Sequence, residues 1–94
     1  MKKASRQIEI ALTPEQEPVW EQALSKFNLT SKTLRDYYDP PITPAANGRA
    51  SMPYDPDMAF EMIAILKQID DVAPKIRNDI CQQLARALAS EKML

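Results

Sequence analysis

Residues 28–41 read NLTSKTLRDYYDPP, and this stretch decides the predicted fold. Asn28 is one of the few non-glycine types that enter the left-handed region readily, so it predicts the end of a helix and a reversal of the chain. Thr30 or Ser31 can then cap a second, short helix, which the double proline after Asp39 ends. Two helices across a turn of a few residues are typical of a helix-turn-helix unit.

Upstream of this unit the pattern predicts a strand followed by the first helix. Arg6 to Leu12 alternates apolar and polar residues at period two, as a half-buried strand does. Residues 13–16, TPEQ, combine a threonine cap with a proline at the first helical position, which predicts a helix from Pro14 to about Lys26. Its apolar stripe comprises Val19, Trp20, Ala23, Leu24 and Phe27, and Trp20 is interpreted as a core anchor.

Downstream of the double proline, Asn47-Gly48 predicts a tight hairpin turn. Its flanks, residues 42–43 and 50–52, are interpreted as short strands of a small wing, with a loop as the alternative. Asp55-Pro56 then predicts the start of a central helix. The inner stripe of that helix comprises Ala59, Met62, Ile63, Leu66 and Ile69, widened by Phe60 and Ile65.

A last helix is predicted from about Pro74 to Glu91. Its apolar stripe comprises Ile76, Ile80, Leu84 and Leu88, with Ala73, Cys81 and Ala87 beside it. The fold class is therefore mainly α: a helix-turn-helix with a short wing, an N-terminal strand and two C-terminal helices. We expect one domain over 1–94, divided into an N-terminal arm (1–12), a winged helix-turn-helix (13–70) and a C-terminal helix that serves dimerisation (71–94).

Composition argues against catalysis and points to binding. The 94 residues include no histidine and a single cysteine, Cys81, interpreted as a reduced core thiol. Without histidine the usual general base and the commonest metal ligand are missing, so we expect no enzyme, no metal and no cofactor. The basic N-terminus is not followed by an apolar stretch, which predicts a cytoplasmic location. Net charge is −1, but a basic zone over residues 22–52 lies between acidic ones, as a one-faced binder of polyanions requires.

The motifs between residues 24 and 69 resemble the DNA-binding domain of the MerR family of transcriptional regulators. Thr33-Leu34-Arg35-Asp36-Tyr37 is similar to the family's recognition-helix motif, Pro44 to the proline before its wing, Gly48-Arg49 to the wing tip, and Tyr54-Asp55 to the start of its next helix. The resemblance implies a winged helix-turn-helix that binds double-stranded DNA as a transcriptional regulator.

Both the chemistry and the resemblance assign the predicted DNA-binding residues. The N-terminal residues of a short helix reach base edges in the major groove. The residues at that position are Ser31, Lys32 and Thr33. The resemblance implies backbone or groove contacts for Arg35, Tyr37 and Arg49. The expected partners are double-stranded DNA and a second copy of the chain.

Two alternatives stay open. Residues 6–38 also fit a ribbon-helix-helix repressor, in which the strand pairs with that of a second chain. The acidic flanks and Asp36 instead favour a protein-binding adaptor on a MerR-like fold, since an acid beside the groove would repel phosphate.

Overall fold

The computed structural model describes residues 2–3, 6–30, 38–39 and 41–92 and forms a small compact domain. In that part of the chain three helices carry most of the residues, which confirms the mainly α class. The strands are β1 (Lys2–Lys3), β2 (Gln7–Ala11), β3 (Tyr38–Asp39) and β4 (Arg49–Pro53). The helices are α1 (Glu17–Thr30), α2 (Pro56–Lys67) and α3 (Pro74–Lys92).

The predicted N-terminal strand is present, and its partner is β4. The two strands are antiparallel with Gln7 opposite Pro53 and Ala11 opposite Arg49. Ile8 and Ile10 point into the core, whereas the alternating residues of β2 are exposed. This intrachain pairing differs from the interchain ribbon that a ribbon-helix-helix protein requires.

The segment before β4 runs along the other edge of that strand. The amide of Thr43 donates to Ser51 O at 2.8 Å, and Ala46 exchanges two backbone hydrogen bonds with Arg49. Only Ala46 of this segment forms a β-bridge, so the first flank of the predicted wing is a loop and the second is a strand. β1 pairs in parallel with β3, with Lys2 opposite Tyr38.

One core holds these elements together. α1 packs on α2, α2 packs on α3, and α3 also contacts β2. Trp20 and Phe27 of α1 are fully buried, as their stripe predicts. The stripe of α3 is likewise covered within the chain: Ile80, Leu84 and Leu88 are buried. That face of α3 is therefore unavailable for the dimerisation proposed from its sequence.

The first helix begins later and ends later than the sequence predicts. The amides of Gln16 and Glu17 donate to Thr13 O, so the chain already turns here. Residues 14–16 nevertheless form a turn, and the α-helix begins at Glu17. At the other end it continues through Asn28 to Thr30, so the predicted turn at 28–30 is wrong. The hydroxyl of Thr30 donates to Lys26 O at 2.9 Å, within the last turn of α1. Asparagine permits a left-handed residue but does not require one.

Two further predictions are corrected. Tyr38, expected at the end of the second helix, lies in β3. Phe60, expected to widen the inner stripe of α2, is 56% exposed because it points away from the buried side of that helix. By contrast Asp55 caps α2 as predicted: its carboxylate accepts from the amides of Asp57 and Met58.

In the described ranges no helix is long and apolar enough to cross a membrane.

Candidate nucleic-acid interface

Five of the six predicted DNA-binding residues lie outside the described residues. Ser31, Lys32, Thr33, Arg35 and Tyr37 all belong to 31–37, between the end of α1 and β3. Arg49 is the sixth, and it lies among the described residues.

Arg49 lies at the first position of β4, directly after a tight turn. Asn47 and Gly48 both have positive φ angles, 54° and 75°, as the two central residues of a type I′ hairpin turn require. The turn lies close to Leu12: a Cβ on Gly48 would be 3.3 Å from Leu12 O. The Leu12 amide also donates to Gly48 O, which fixes the turn against the end of β2. The turn predicted from Asn47-Gly48 is present, and it holds the Arg49 backbone in a defined position.

Side chains on one face of α1 hydrogen-bond the turn and the segment before it. Glu17 Oε2 accepts from the Gly48 amide at 2.8 Å, and Trp20 Nε1 donates to Thr43 O at 2.9 Å. A longer contact of 3.4 Å joins Glu21 Oε2 to the Ala45 amide. Glu17, Trp20 and Glu21 are spaced i, i+3 and i+4, so they share one side of the helix. The sequence assigned Trp20 to the core but did not indicate this hydrogen bond.

The Arg49 side chain extends over the outer face of the β2–β4 sheet and pairs with Glu9. Arg49 Nη1 lies 3.0 Å from Glu9 Oε1, and the two side chains are 74% and 63% exposed. An exposed ion pair of this kind contributes little to stability. A carboxylate beside the guanidinium also opposes the attraction of that cation for an anion such as phosphate.

Tyr38 of β3 makes a side-chain contact with the start of α2. Tyr38 Oη donates to Asp55 Oδ2 at 2.7 Å, while the other carboxylate oxygen of Asp55 caps α2. One aspartate thus ties β3 to the start of α2. Because β4 carries Arg49 and leads directly into α2, this contact connects β3 to the element that follows Arg49 in the chain.

Two glutamines, Gln16 and Gln83, join the start of α1 and β2 to α3. The Gln16 side chain is buried, and its Oε1 accepts from the Thr13 amide at 2.9 Å. Its Nε2 donates to Asp79 Oδ2 at 2.7 Å and to Ile76 O at 3.3 Å. The TPEQ pattern predicts the contact with Thr13, since a glutamine three residues after the cap completes a capping box. The contacts with α3 are long-range, and no local pattern encodes them.

The second glutamine, Gln83, pairs with the backbone of Ala11. Its Oε1 accepts from Ala11 N at 3.0 Å, and its Nε2 donates to Ala11 O at 2.7 Å. The carboxamide therefore occupies the position that the next strand would have beside β2.

Cys81 is buried, as its place in an apolar stripe predicts. Burial raises the pKa of its thiol, against smaller opposing effects of Lys67 and Arg77. A raised thiol pKa is the opposite of what an activated nucleophile needs. Across the described ranges, no cluster of three or more aspartate, glutamate or cysteine side chains is arranged to hold a metal ion.

Comparison with known proteins adds no relative: no protein-family model, no curated protein and no solved structure matches the chain.

Proposed function

We propose that this protein binds double-stranded DNA sequence-specifically, as a small transcriptional regulator or an accessory DNA-architecture factor on a MerR-like winged helix-turn-helix. The observation that carries the proposal is Arg49: a largely exposed arginine fixed by a positive-φ turn at the edge of a rigid sheet. Phosphate or base contacts need a cation that is both accessible and positioned. Arg49 meets both conditions.

The proposed interface combines the 31–37 segment with this turn. Ser31, Lys32 and Thr33 would reach base edges in the major groove, and Arg35 and Tyr37 would contact the DNA backbone. Arg49 would reach the adjacent groove or backbone. The hydrogen bond between Tyr38 and Asp55 supports the proposal because it joins β3, which follows the 31–37 segment in the chain, to the start of α2, which follows β4.

The number of cations predicts the salt dependence. Lys32, Arg35 and Arg49 would neutralise three phosphates at most, so log K should fall with log salt with a slope of about −2.7 per chain. Affinity should then drop about 40-fold per bound chain between about 50 and 200 mM salt.

Fluorescence anisotropy with labelled duplexes, both random and genomic, tests the proposal. Arg35→Ala should weaken binding and lower the slope by about one unit. Arg86→Ala is the matched control, because it removes the same charge from an exposed position on α3. Absence of duplex binding at about 50 mM salt would refute the DNA-binding function.

A homodimer belongs to the same proposal and needs a surface other than the buried stripe of α3. Among the described residues, Phe60 and Leu29 are the large apolar side chains left exposed, at 56% and 74%. A monomeric mass by light scattering at micromolar concentration would contradict the dimer.

A protein-binding adaptor is the second candidate function, and the Glu9–Arg49 pair favours it. The paired carboxylate reduces the net positive charge of the sheet face, and Phe60 offers an apolar contact on α2. If duplex binding fails at low salt, the adaptor becomes the better explanation.

A further inference from the structure

We propose that Glu9 and Arg49 together read one G·C base pair in the major groove. This inference rests on the proposed DNA-binding function and names the base pair that this surface prefers. It gives Glu9 a role in specificity and makes Arg49 a base reader instead of a phosphate contact.

The first argument is the position of the pair. In the register of β2 and β4, Glu9 lies opposite Ser51 and Arg49 lies opposite Ala11, so the two residues are diagonal neighbours across the strands. Both side chains are exposed, while the opposite face of the same strands carries buried Ile8 and Ile10. An antiparallel pair of strands is one of the elements that the major groove admits.

The second argument is the pattern of donors and acceptors. The ion pair uses Nη1 of Arg49 and Oε1 of Glu9, and the described part of the chain gives no partner to the remaining guanidinium donors or to Oε2. The pair therefore presents donors directly beside an acceptor. A G·C pair presents the complement, with the O6 and N7 acceptors of guanine next to the N4 donor of cytosine.

The same pattern rejects an A·T pair in which adenine takes the place of guanine, and the reversed T·A pair offers Arg49 the single O4 acceptor of thymine where guanine offers two acceptors. Where Arg49 faces adenine, the N6 amino group is a donor and meets another donor. Where Glu9 faces thymine, the O4 atom is an acceptor and meets a carboxylate. Discrimination then comes from repulsion at the wrong base pair as well as from hydrogen bonds at the right one.

The third argument is electrostatic. A lone exposed arginine attracts any phosphate, but a carboxylate 3.0 Å from the guanidinium opposes that attraction. The carboxylate of Glu17, which accepts from the Gly48 amide next to Arg49, adds to the same effect. Nonspecific backbone contacts are therefore disfavoured at this position, whereas a base edge that offers a donor to Glu9 is favoured.

Selection from a pool of random duplexes by the full chain, followed by affinity measurements on the selected site and its single-base-pair variants, tests the inference. Wild type should prefer G·C at one position, with a loss of roughly 5- to 150-fold when that pair is changed to A·T. Arg49→Ala and Glu9→Gln should each reduce that preference and leave the other positions unchanged. Glu15→Gln, which removes the same charge as Glu9→Gln from an exposed position before α1, should keep the preference.

Three results would overturn the inference, and they separate it from the proposed function. If Arg49→Ala weakens binding evenly at every sequence, Arg49 contacts phosphate and the base-reading role fails while DNA binding stands. If Glu9→Gln keeps the full G·C preference, Glu9 is not a reader. If wild type binds no duplex from the pool, the proposed function fails and the inference fails with it. Thermal melting of each variant verifies that the surface substitutions leave the fold intact.

Discussion

Replacing Gln16 with alanine should lower the free energy of unfolding by about 2–3 kcal/mol. The substitution removes three side-chain hydrogen bonds, to the Thr13 amide, to Asp79 and to Ile76 O. Each neutral bond contributes about 1 kcal/mol, and the bond to a carboxylate would be worth about 1.5–3 kcal/mol if buried. Asp79 is exposed and regains water in the variant, so we count that bond at about 1 kcal/mol.

Urea denaturation followed by circular dichroism measures this change, and thermal melting should show a midpoint lower by about 10–20 °C. Gln82→Ala is the matched control: Gln82 lies on α3, the helix that the Gln16 side chain contacts, is exposed and has no hydrogen bond within the described chain. We expect it to change stability by less than about 0.5 kcal/mol. A double-mutant cycle with Asp79→Ala should give a coupling of about 1 kcal/mol. The reasoning is refuted if Gln16→Ala is no more destabilising than Gln82→Ala.

Three further predictions concern the turn, the core and the thiol. Gly48→Ala should destabilise by about 1 kcal/mol or more, since φ is +75° and the new Cβ would meet Leu12 O at 3.3 Å; equal urea midpoints for variant and wild type would contradict this. Trp20→Phe keeps an aromatic ring but loses the hydrogen bond to Thr43 O. The unsatisfied carbonyl and the lost side-chain volume should lower the free energy of unfolding by about 1–3 kcal/mol, measured by equilibrium urea denaturation. Burial raises the pKa of the Cys81 thiol above its value in the unfolded chain. The contribution of this thiol to the free energy of unfolding is therefore full below the pKa of the unfolded chain and is lost as the pH rises through the pKa of the folded protein. Native protein should accordingly react with a thiol reagent near pH 8 far more slowly than protein in urea, and equal rates would show that the thiol is accessible.

Local signals predicted the elements whose physical causes are local. The alternation in residues 6–12 gave β2, the cap and proline at Asp55-Pro56 gave α2, and Asn47-Gly48 gave the turn. Each of these depends on neighbouring residues in the chain, and each is confirmed.

Asn28 permits the end of a helix but does not require it, and α1 continues to Thr30. The other features that the sequence did not predict depend on tertiary contacts. The partner of β4 was not predictable, because its pairing with β2 spans about forty residues and its own apolar pattern is short. No local sequence pattern predicts the hydrogen bond from the Gly48 amide to Glu17 or the ion pair between Glu9 and Arg49. These contacts determine what the candidate site can bind.

The Gln83 carboxamide, which hydrogen-bonds the backbone of Ala11, covers part of the free edge of β2, so the packing of α3 affects how readily the chain aggregates. An unpaired strand edge is a template for another strand, and here one end of β2 is closed by a side chain from a helix. That closure lasts only as long as α3 stays in place. Any local unfolding that releases α3 uncovers the Ala11 N–H and C=O together with the buried faces of Ile80 and Leu84. Resistance to aggregation therefore depends on the opening equilibrium of the C-terminal helix, to which both its buried apolar stripe and the contacts of Gln16 and Gln83 contribute.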